Sequence, residues 1–451
     1  PYSTTTPDRT RGAPGGARAM ALSKGLWKPA PVWALPPNPY MNRTAEVPST
    51  YERCKYAVTG TLLLVPRIAG VIGSVLAAGA VGAVALAGWP DKPDLPMPLW
   101  RRVVRYPIVY LCRACCFFLG FHWIKVKGRL APRSEAPIVI ANHQTFVDVF
   151  LGVYALGGPV AISAAENVNF PVFGTVIKAM QTLLVDREQR KSGQAAADNV
   201  KKISQDNRWP QMYIFPEGNT CNGGAVCRYK PGAFLPGVPV QPMIIRYPAE
   251  YLDPCWVEPL GILPYKLALR MLMQFHNRME IEYLPPVVPT AAEKADPALF
   301  MARVQAVMAE GMGVPLTDYS FGDTQLMFAA KKLGLPPVCG LVEAGRAEKV
   351  WKLGVAELKE AMAWFAQAGG EEPRERGALS TPSELVSALG LRAELDGSAP
   401  AAGALFALFD QDRDGQVSFR EFAAGLAPLA EGGRGVQGAL DEVRRLCLGD
   451  R

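Results

Sequence analysis

The chain alternates short apolar segments with segments of helical periodicity between about residues 125 and 326. Strands are expected where the apolar run is short and rich in Val, Ile and Leu, at 137–141, 160–164, 182–185, 211–215, 240–246 and 279–287. Helices are expected where apolar positions recur every three to four residues, at 146–156, 173–180, 193–204, 265–277 and 291–312. This alternation predicts an α/β domain in which helices are layered on a sheet.

Two longer apolar segments precede that domain. Residues 68–88 carry no charge and are long enough to cross a bilayer, which takes ~20 residues. A buried helix of a soluble protein is the alternative, but the uninterrupted length and the Ala and Gly content favour membrane embedding. The second segment, 107–124, contains Arg113, whose insertion costs ~2.5–3.5 kcal/mol, so an interfacial or re-entrant helix is expected there.

The pattern divides the chain into four regions. Residues 1–55 are rich in Pro, Gly, Ser and Thr and predict a disordered basic tail. Residues 56–124 predict membrane-embedded or interfacial helices. Six basic residues in and just after this region are expected to face lipid headgroups: Arg101, Arg102, Arg105, Lys125, Lys127 and Arg129. The α/β domain follows at 125–326, and residues 327–451 form an Ala-, Glu- and Gly-rich helical region.

The charge and the cysteine content limit the kinds of binding partner and of cellular compartment that fit this chain. The net charge of +7 beside a strongly apolar segment fits membrane lipids. Because no run of Lys and Arg is interleaved with aromatic residues, we expect no nucleic-acid partner. The nine cysteines are scattered and odd in number, which indicates a reducing compartment and no disulfide framework.

One of only three histidines, His143, lies five residues before Asp148 at the end of the predicted strand 137–141. Histidine is suited to accept a proton near neutral pH, and a carboxylate can orient its ring. However, Thr145 and Asp148 also have the spacing of a helix capping box. On one continuous helix the two side chains would point about 140° apart, so they can meet only if His143 lies in the turn.

The segment 410–421 has the spacing of an EF-hand calcium loop. The expected calcium ligands are the carboxylates of Asp410, Asp412, Asp414 and Glu421 and the backbone carbonyl of Gln416. A solvated acidic loop is the alternative. EF-hands usually occur in pairs, and residues 372–383 predict a partner loop that cannot bind metal, although this stretch could equally be a linker.

Four ordered motifs raise the probability that the His143 pair is catalytic. They are Asn142-His143 to Asp148, Glu166 to Arg187, Phe215-Pro216-Glu217-Gly218-Asn219, and Lys230 to Pro242. Together they resemble the glycerophospholipid acyltransferase superfamily. Later segments, 274–285 and 317–321, resemble its lysophosphatidylcholine and lysophosphatidylethanolamine acyltransferase branch.

The resemblance implies transfer of an acyl group from acyl-CoA to a hydroxyl of a lysophospholipid, in phospholipid remodelling. It implies that His143 is the general base, that Asp148 orients it, and that Arg187 binds the acceptor phosphate. Arg187 could instead form a surface ion pair with an acidic neighbour. Glu217 and Gly218 would shape the acceptor pocket. Asn219 stands where this branch usually has threonine, which leaves the preferred headgroup open.

Two other functions remain alternatives at this point. One is a lysophosphatidic acid acyltransferase, which the calcium loop and the segment 274–285 disfavour. The other is an inactive, calcium-binding membrane adaptor, which has no need of His143 and Asp148. Cys221 and Cys227 are disfavoured as nucleophiles because no second histidine is near them in sequence. An acyl-CoA donor and a calcium loop both suit the cytosolic face of the endoplasmic reticulum or a related endomembrane.

Overall fold

The computed structural model describes residues 36–44, 48–90, 95–186, 190–248, 252–257, 259–367, 377–391, 399–427 and 438. The predicted tail therefore lies mostly outside the described residues, as does Arg187. The helices are α1 (Thr50–Leu86), α2 (Leu99–Arg105), α3 (Pro107–Phe118), α4 (Val147–Ala155), α5 (Phe173–Ala179), α6 (Arg190–Gln205), α7 (Pro264–Leu272), α8 (Ala291–Ala295), α9 (Pro297–Met312), α10 (Phe321–Lys332), α11 (Ala344–Arg346), α12 (Val355–Gln367), α13 (Pro382–Ala388), α14 (Ala399–Phe409) and α15 (Phe419–Leu426). The strands are β1 (Ile124–Lys127), β2 (Ile138–Ala141), β3 (Val160–Ala164), β4 (Leu183–Val185), β5 (Met212–Ile214), β6 (Val240–Arg246), β7 (Met279–Tyr283), β8 (Ala378–Leu379) and β9 (Val417–Ser418).

Seven strands form one mixed sheet in the order β1-β7-β6-β2-β5-β3-β4. All neighbours are parallel except β6 and β7. Strand β2 lies at the centre, where Ile138 aligns with Met212 on one side and Val240 on the other. The predicted α/β class and its six strands are confirmed. Strand β1 was missed because it is a largely exposed edge strand with the sequence Ile-Lys-Val-Lys.

Two predicted boundaries differ from the structure. The helix expected at 291–312 is two helices, because Asp296 interrupts it and accepts a hydrogen bond from Ala298 N at 3.0 Å as the cap of α9. Pro297, at the first position of α9, has no N–H to lose there. The domain boundary predicted after residue 326 falls inside α10, which begins at its Ser320 cap. Helix α10 therefore joins the two regions.

Helix α1 packs on the protein through small residues and exposes large apolar ones. A Cβ added at Gly70 would lie 2.3 Å from the Phe118 ring, and one at Gly79 would lie 2.4 Å from the Val172 side chain. The exposed apolar side chains of α1 are Val58, Leu62, Val65, Ile72, Leu76 and Val84. By length and composition α1 could cross a membrane, which suggests membrane association.

Helix α3 is too short to cross a bilayer. Its 12 residues span about 18 Å, against a hydrocarbon core of about 30 Å. The Arg113 guanidinium donates hydrogen bonds to the carbonyls of Phe121, at 3.2 Å, and His122, at 2.5 Å. Its charge is therefore compensated by the protein, and the interfacial or re-entrant placement of this segment stays a prediction.

The expectation that basic residues face lipid headgroups is wrong for Arg101 and Arg105. Arg101 is buried and donates to the carbonyl of Ala85 at 2.6 Å. Arg105 is buried and donates to the carbonyl of Ala179 at 2.7 Å. Each guanidinium satisfies a carbonyl near a helix C-terminus, which is a favourable place for a cation. These side chains therefore join α1, α2 and α5 to one another.

The C-terminal region has its own core, in which α12, α14 and α15 meet. The rings of Phe365 and Phe419 lie 5.6 Å apart, and those of Phe409 and Phe422 lie 5.9 Å apart. Strands β8 and β9 pair antiparallel, with Leu379 opposite Val417. Helix α12 precedes the segment 372–383, and α13 begins at its end. The first residues of that proposed partner loop lie outside the described residues.

Candidate active site

The end of β2 is fixed to β6 by one side chain. The Asn142 amide donates to the carbonyl of Ile245 at 2.9 Å, and its oxygen accepts from Ile245 N at 2.8 Å. Asn142 is fully buried, so both of its polar ends are satisfied away from water. The chain therefore leaves the sheet at a defined point, and His143 follows at the carboxyl ends of the parallel strands, where α/β proteins commonly bind ligands.

His143 and Asp148 meet in the arrangement that their spacing required. His143 lies in the turn and Asp148 in the first turn of α4, with 3.0 Å between His143 Nδ1 and Asp148 Oδ2. The Asp148 carboxylate is fully buried, whereas the His143 side chain is 19% exposed. The pair therefore has a sheltered carboxylate and a ring that a substrate can reach.

The structure forms half of the capping box, so Asp148 closes the start of α4 as well as contacting His143. The Thr145 hydroxyl makes no cap and is buried without a hydrogen-bond partner among the described residues. Asp148 Oδ2 accepts hydrogen bonds from Thr145 N at 2.8 Å, which is the half that forms, and from Gln144 N at 2.6 Å. These two N–H groups hold the carboxylate and are therefore not available to stabilise an oxyanion.

Two aromatic residues complete the surroundings of the pair. The Tyr247 hydroxyl donates to Asp148 Oδ1 and is completely buried. The Phe215 ring stacks on His143, with centroids 3.9 Å apart and planes at 14°. Neither Tyr247 nor Phe215 was predicted to contact the catalytic pair. Tyr247 directly follows β6, which neighbours β2, so the shared sheet edge is the signal that could have identified it.

Glu217 lies behind this site and does not open to solvent. Its side chain is 3% exposed, Oε2 accepts from the Cys221 thiol at 3.2 Å, and Oε1 has no partner among the described residues. Burial raises the pKa of the Glu217 carboxyl well above its usual range. If Glu217 shapes a pocket, it does so as a buried residue behind the side chains that line the pocket.

Gly218 adopts a left-handed conformation, with φ of 66°. A Cβ at this position would lie 2.7 Å from Cε of Lys230, so the Lys230 side chain occupies the space beside it. Gly218 was predicted to help shape the acceptor pocket, whereas Lys230 fills the space beside it. Glycine is favoured here by the left-handed backbone conformation, whereas a Cβ would only displace the flexible end of Lys230.

Asn219 points toward the C-terminal region. Its side-chain amide donates to the Thr324 hydroxyl on α10 at 2.6 Å. The structure therefore brings His143, Asp148 and the 215–217 segment together, whereas Asn219 joins that segment to α10. Arg187 lies outside the described residues, so its predicted role stays a prediction.

The predicted calcium loop connects α14 to α15. The carboxylates of Asp410, Asp412 and Asp414 offer oxygens within 4.8 Å of one another. Gly415, with φ of 85°, makes the sharp turn, and Gln416 N donates to Asp414 Oδ1 at 2.7 Å. Glu421 lies in the first turn of α15 and accepts from Gln411 N at 3.1 Å. The residues present thus supply the hard oxygen donors that calcium prefers.

Comparisons with known proteins identify an acyltransferase region in the chain. A family model described as Acyltransferase matches residues 123–246. Lysophosphatidylcholine acyltransferase 2 of Mus musculus is 34% identical over 433 residues, which cover 94% of this chain and 76% of that protein. Lysophospholipid acyltransferase LPEAT2 of Arabidopsis thaliana is 31% identical, covering 85% and 69%. Lysophosphatidylcholine acyltransferase of Drosophila melanogaster is 35% identical, covering 85% and 71%.

Among solved structures, the 1-acyl-sn-glycerophosphate acyltransferase PlsC of Thermotoga maritima is similar to 58% of this chain and 95% of its own, at 17% identity and a TM-score of 0.38. A similarity this distant carries no argument about the chain. The sequence relatives are much closer and extend over most of both proteins. The chain therefore belongs to the lysophospholipid acyltransferase family and is an acyltransferase.

Proposed function

We propose that the protein transfers the acyl group of acyl-CoA to lysophosphatidylcholine or lysophosphatidylethanolamine. The observation that carries this proposal is the contact between His143 Nδ1 and Asp148 Oδ2, at 3.0 Å, beside an exposed ring edge. The names of the relatives supply the acceptor class. A membrane adaptor without catalytic activity would need neither residue.

In the proposed mechanism Asp148 holds the Nδ1–H tautomer of His143. Nε2 then takes the proton of the glycerol hydroxyl as its oxygen attacks the thioester carbonyl. A C–O bond forms, the C–S bond breaks, and the departing CoA thiolate takes the proton back from the imidazolium. No acyl-enzyme is needed because the thiolate is a competent leaving group.

The substrates are anionic, and two cations are assigned to them. Arg187 is proposed to bind the acceptor phosphate, since a guanidinium matches phosphate oxygens. Lys230 lies against Gly218, with Nζ 2.9 Å from the position of an added Cβ. We assign Lys230 an electrostatic role toward a substrate phosphate, because it brings a positive charge to the segment next to His143.

We place the protein in the endoplasmic reticulum or a related endomembrane, with the catalytic domain facing the cytosol. The exposed apolar side chains of α1 favour contact with lipid tails. Acyl-CoA is a large anion that does not cross a bilayer unaided. A cytosolic catalytic domain therefore has access to the donor, and α1 keeps it beside the acceptor.

We also propose that 410–421 binds calcium as an EF-hand, paired with a second loop that has lost its ligands. Supporting this, Leu379 and Val417, the eighth positions of the two loops, face each other in the β8–β9 pair. The three clustered aspartates and Glu421 provide the oxygen donors. The first half of the second loop lies outside the described residues.

The test is an acyl-transfer assay with membranes that express the chain. Labelled oleoyl-CoA is the donor, and lysophosphatidylcholine, lysophosphatidylethanolamine and lysophosphatidic acid are offered as acceptors. We expect transfer to one or both of the first two, and its loss in His143→Ala. Preference for lysophosphatidic acid would contradict the proposed acceptor. Wild-type activity no higher than that of His143→Ala, with or without calcium, would contradict the mechanism.

A further inference from the structure

Two thiols and a carboxyl converge behind the catalytic turn. The ligand atoms of Glu217, Cys221 and Cys227 all lie within 4.8 Å of one another. The three residues are 3%, 1% and 2% exposed. The Cys221 thiol donates to Glu217 Oε2 at 3.2 Å, and the Cys227 backbone N–H also interacts with this carboxyl, whereas Oε1 makes no hydrogen bond of good geometry among the described residues. The cluster is therefore built of metal-binding groups that the surrounding protein leaves incompletely satisfied.

Such a cluster is costly as it stands. A buried carboxyl oxygen without a hydrogen bond destabilises the fold, because it has lost its contacts with water and gained none in return. The Tyr229 hydroxyl adds to that cost, since it too is buried without a partner among the described residues and interacts electrostatically with Glu217 and both thiols. A cation bound between the sulfurs and the carboxylate would offset this cost directly.

We propose that Glu217, Cys221 and Cys227 bind a thiophilic divalent cation of the zinc class. Two sulfur donors and one carboxylate oxygen form a set that zinc accepts, with water in the fourth position. On binding, both thiols and the Glu217 carboxyl give their protons to solvent and coordinate as anions. The two thiolates neutralise the ion, and the carboxylate leaves the site with one net negative charge. The proposal does not depend on the identity of the acyl acceptor.

The position of the cluster indicates a structural role. Cys221 N donates to the carbonyl of His143 at 2.8 Å, so the loop that would bind metal is joined directly to the catalytic turn. The adjacent Asn222 N donates to the carbonyl of Pro39 at 2.7 Å, and Tyr40 packs in the same core as both cysteines. The ion would lie inside the protein, behind the catalytic turn. It would hold the backbone at His143 in place without contacting substrate.

Metal analysis of the purified full chain in detergent, after dialysis against metal-free buffer, tests this proposal. We expect about one zinc per chain in the wild type, and its loss in the double variant Cys221→Ser/Cys227→Ser. Cys255→Ser is the matched control, because Cys255 is equally buried but does not belong to the cluster. It is expected to retain the metal.

A cobalt titration of the wild-type chain keeps the test independent of whether the double variant folds. Cobalt bound by two thiolates gives a sulfur-to-cobalt charge-transfer band, which we expect to appear at one equivalent and to be removed by added zinc. Absence of both zinc and this band would overturn the proposal. A Cys221–Cys227 disulfide in freshly isolated protein, found by mass spectrometry without metal, would also overturn it. Either failure leaves the acyl-transfer assay unaffected.

Discussion

The imidazole of His143 lies face to face on the ring of Phe215, with 3.9 Å between centroids. The two residues belong to different motifs, and three of the seven strands of the sheet, β3, β4 and β5, lie between them in sequence. Stacking restricts the tilt of the imidazole, while Asp148 fixes its rotation through Nδ1. The ring is thereby held from its face and from its edge.

Replacing Phe215 by leucine should lower kcat and change KM little. Aromatic stacking is worth about 0.5–1.5 kcal/mol beyond its apolar burial, so we expect a loss of up to about tenfold. Steady-state kinetics at saturating acyl-CoA measure it. The control is Phe328→Leu, a partly exposed phenylalanine on α10. An unchanged kcat in Phe215→Leu would argue against a role for the stack.

Asp148→Asn should be far more damaging. The amide has the same shape but no longer carries the charge that steadies the imidazolium, so we expect kcat to fall by about 10²–10⁴-fold. Tyr247→Phe removes only the hydroxyl that donates to Asp148 Oδ1 and should cost less. Asp198→Asn, on the exposed face of α6, is the control. Near-normal turnover of D148N would contradict an orienting role for the carboxylate.

Calcium binding should depend on Glu421. Glu421→Gln removes a charged ligand, and we expect the affinity to fall about tenfold or more, which is about 1.4 kcal/mol of binding free energy. Isothermal titration calorimetry on the purified chain measures it. Glu357→Gln on α12 serves as the control, because Glu357 is outside the loop. Equal affinities for E421Q and the wild type would exclude the proposed ligand set.

Within the C-terminal region, a buried ion pair joins α15 to the residue that precedes α11. Arg420 Nη2, on α15, lies 3.1 Å from Glu343 Oε2, and the side chains are 5% and 6% exposed. Arg420→Met leaves Glu343 buried with less compensation, which typically costs about 3–5 kcal/mol. Thermal unfolding should report this loss. The double variant Arg420→Met/Glu343→Gln should recover part of it, and no recovery would contradict the pairing.

Asp323, in the first turn of α10, should make stability depend on pH. Burial raises the pKa of its carboxyl from 3.8 to about 7. The folded state therefore binds the proton more tightly than the unfolded chain, so the folded state loses stability as pH rises from about 4 to about 7. At 1.36 kcal/mol per pKa unit this amounts to about 4 kcal/mol. Unfolding temperatures of wild type and Asp323→Asn across that range should differ in slope, and parallel slopes would exclude Asp323 as the source.

The sequence by itself determined the local features of this protein. Short buried strands have a recognisable apolar pattern. The ordered motifs put His143 and Glu217 just after predicted strands and Asp148 at the start of the predicted helix that follows. The proposed calcium loop could be predicted position by position, because its candidate ligands lie within one segment of twelve residues. The edge strand β1 was not predicted, because its exposed sequence Ile-Lys-Val-Lys has no long apolar run.

Only the tertiary structure decided what surrounds those residues. Tyr247 reaches Asp148 because β6 and β2 are neighbours in the sheet, although the two residues are 99 positions apart in sequence. Glu217 lies within the wall beside two cysteines, and Lys230 fills the space next to Gly218. Residue spacing predicts which groups occur in the chain. Burial and contacts across the sheet depend on how distant segments pack, and these contacts determine which polar groups reach substrate and which remain inside the protein.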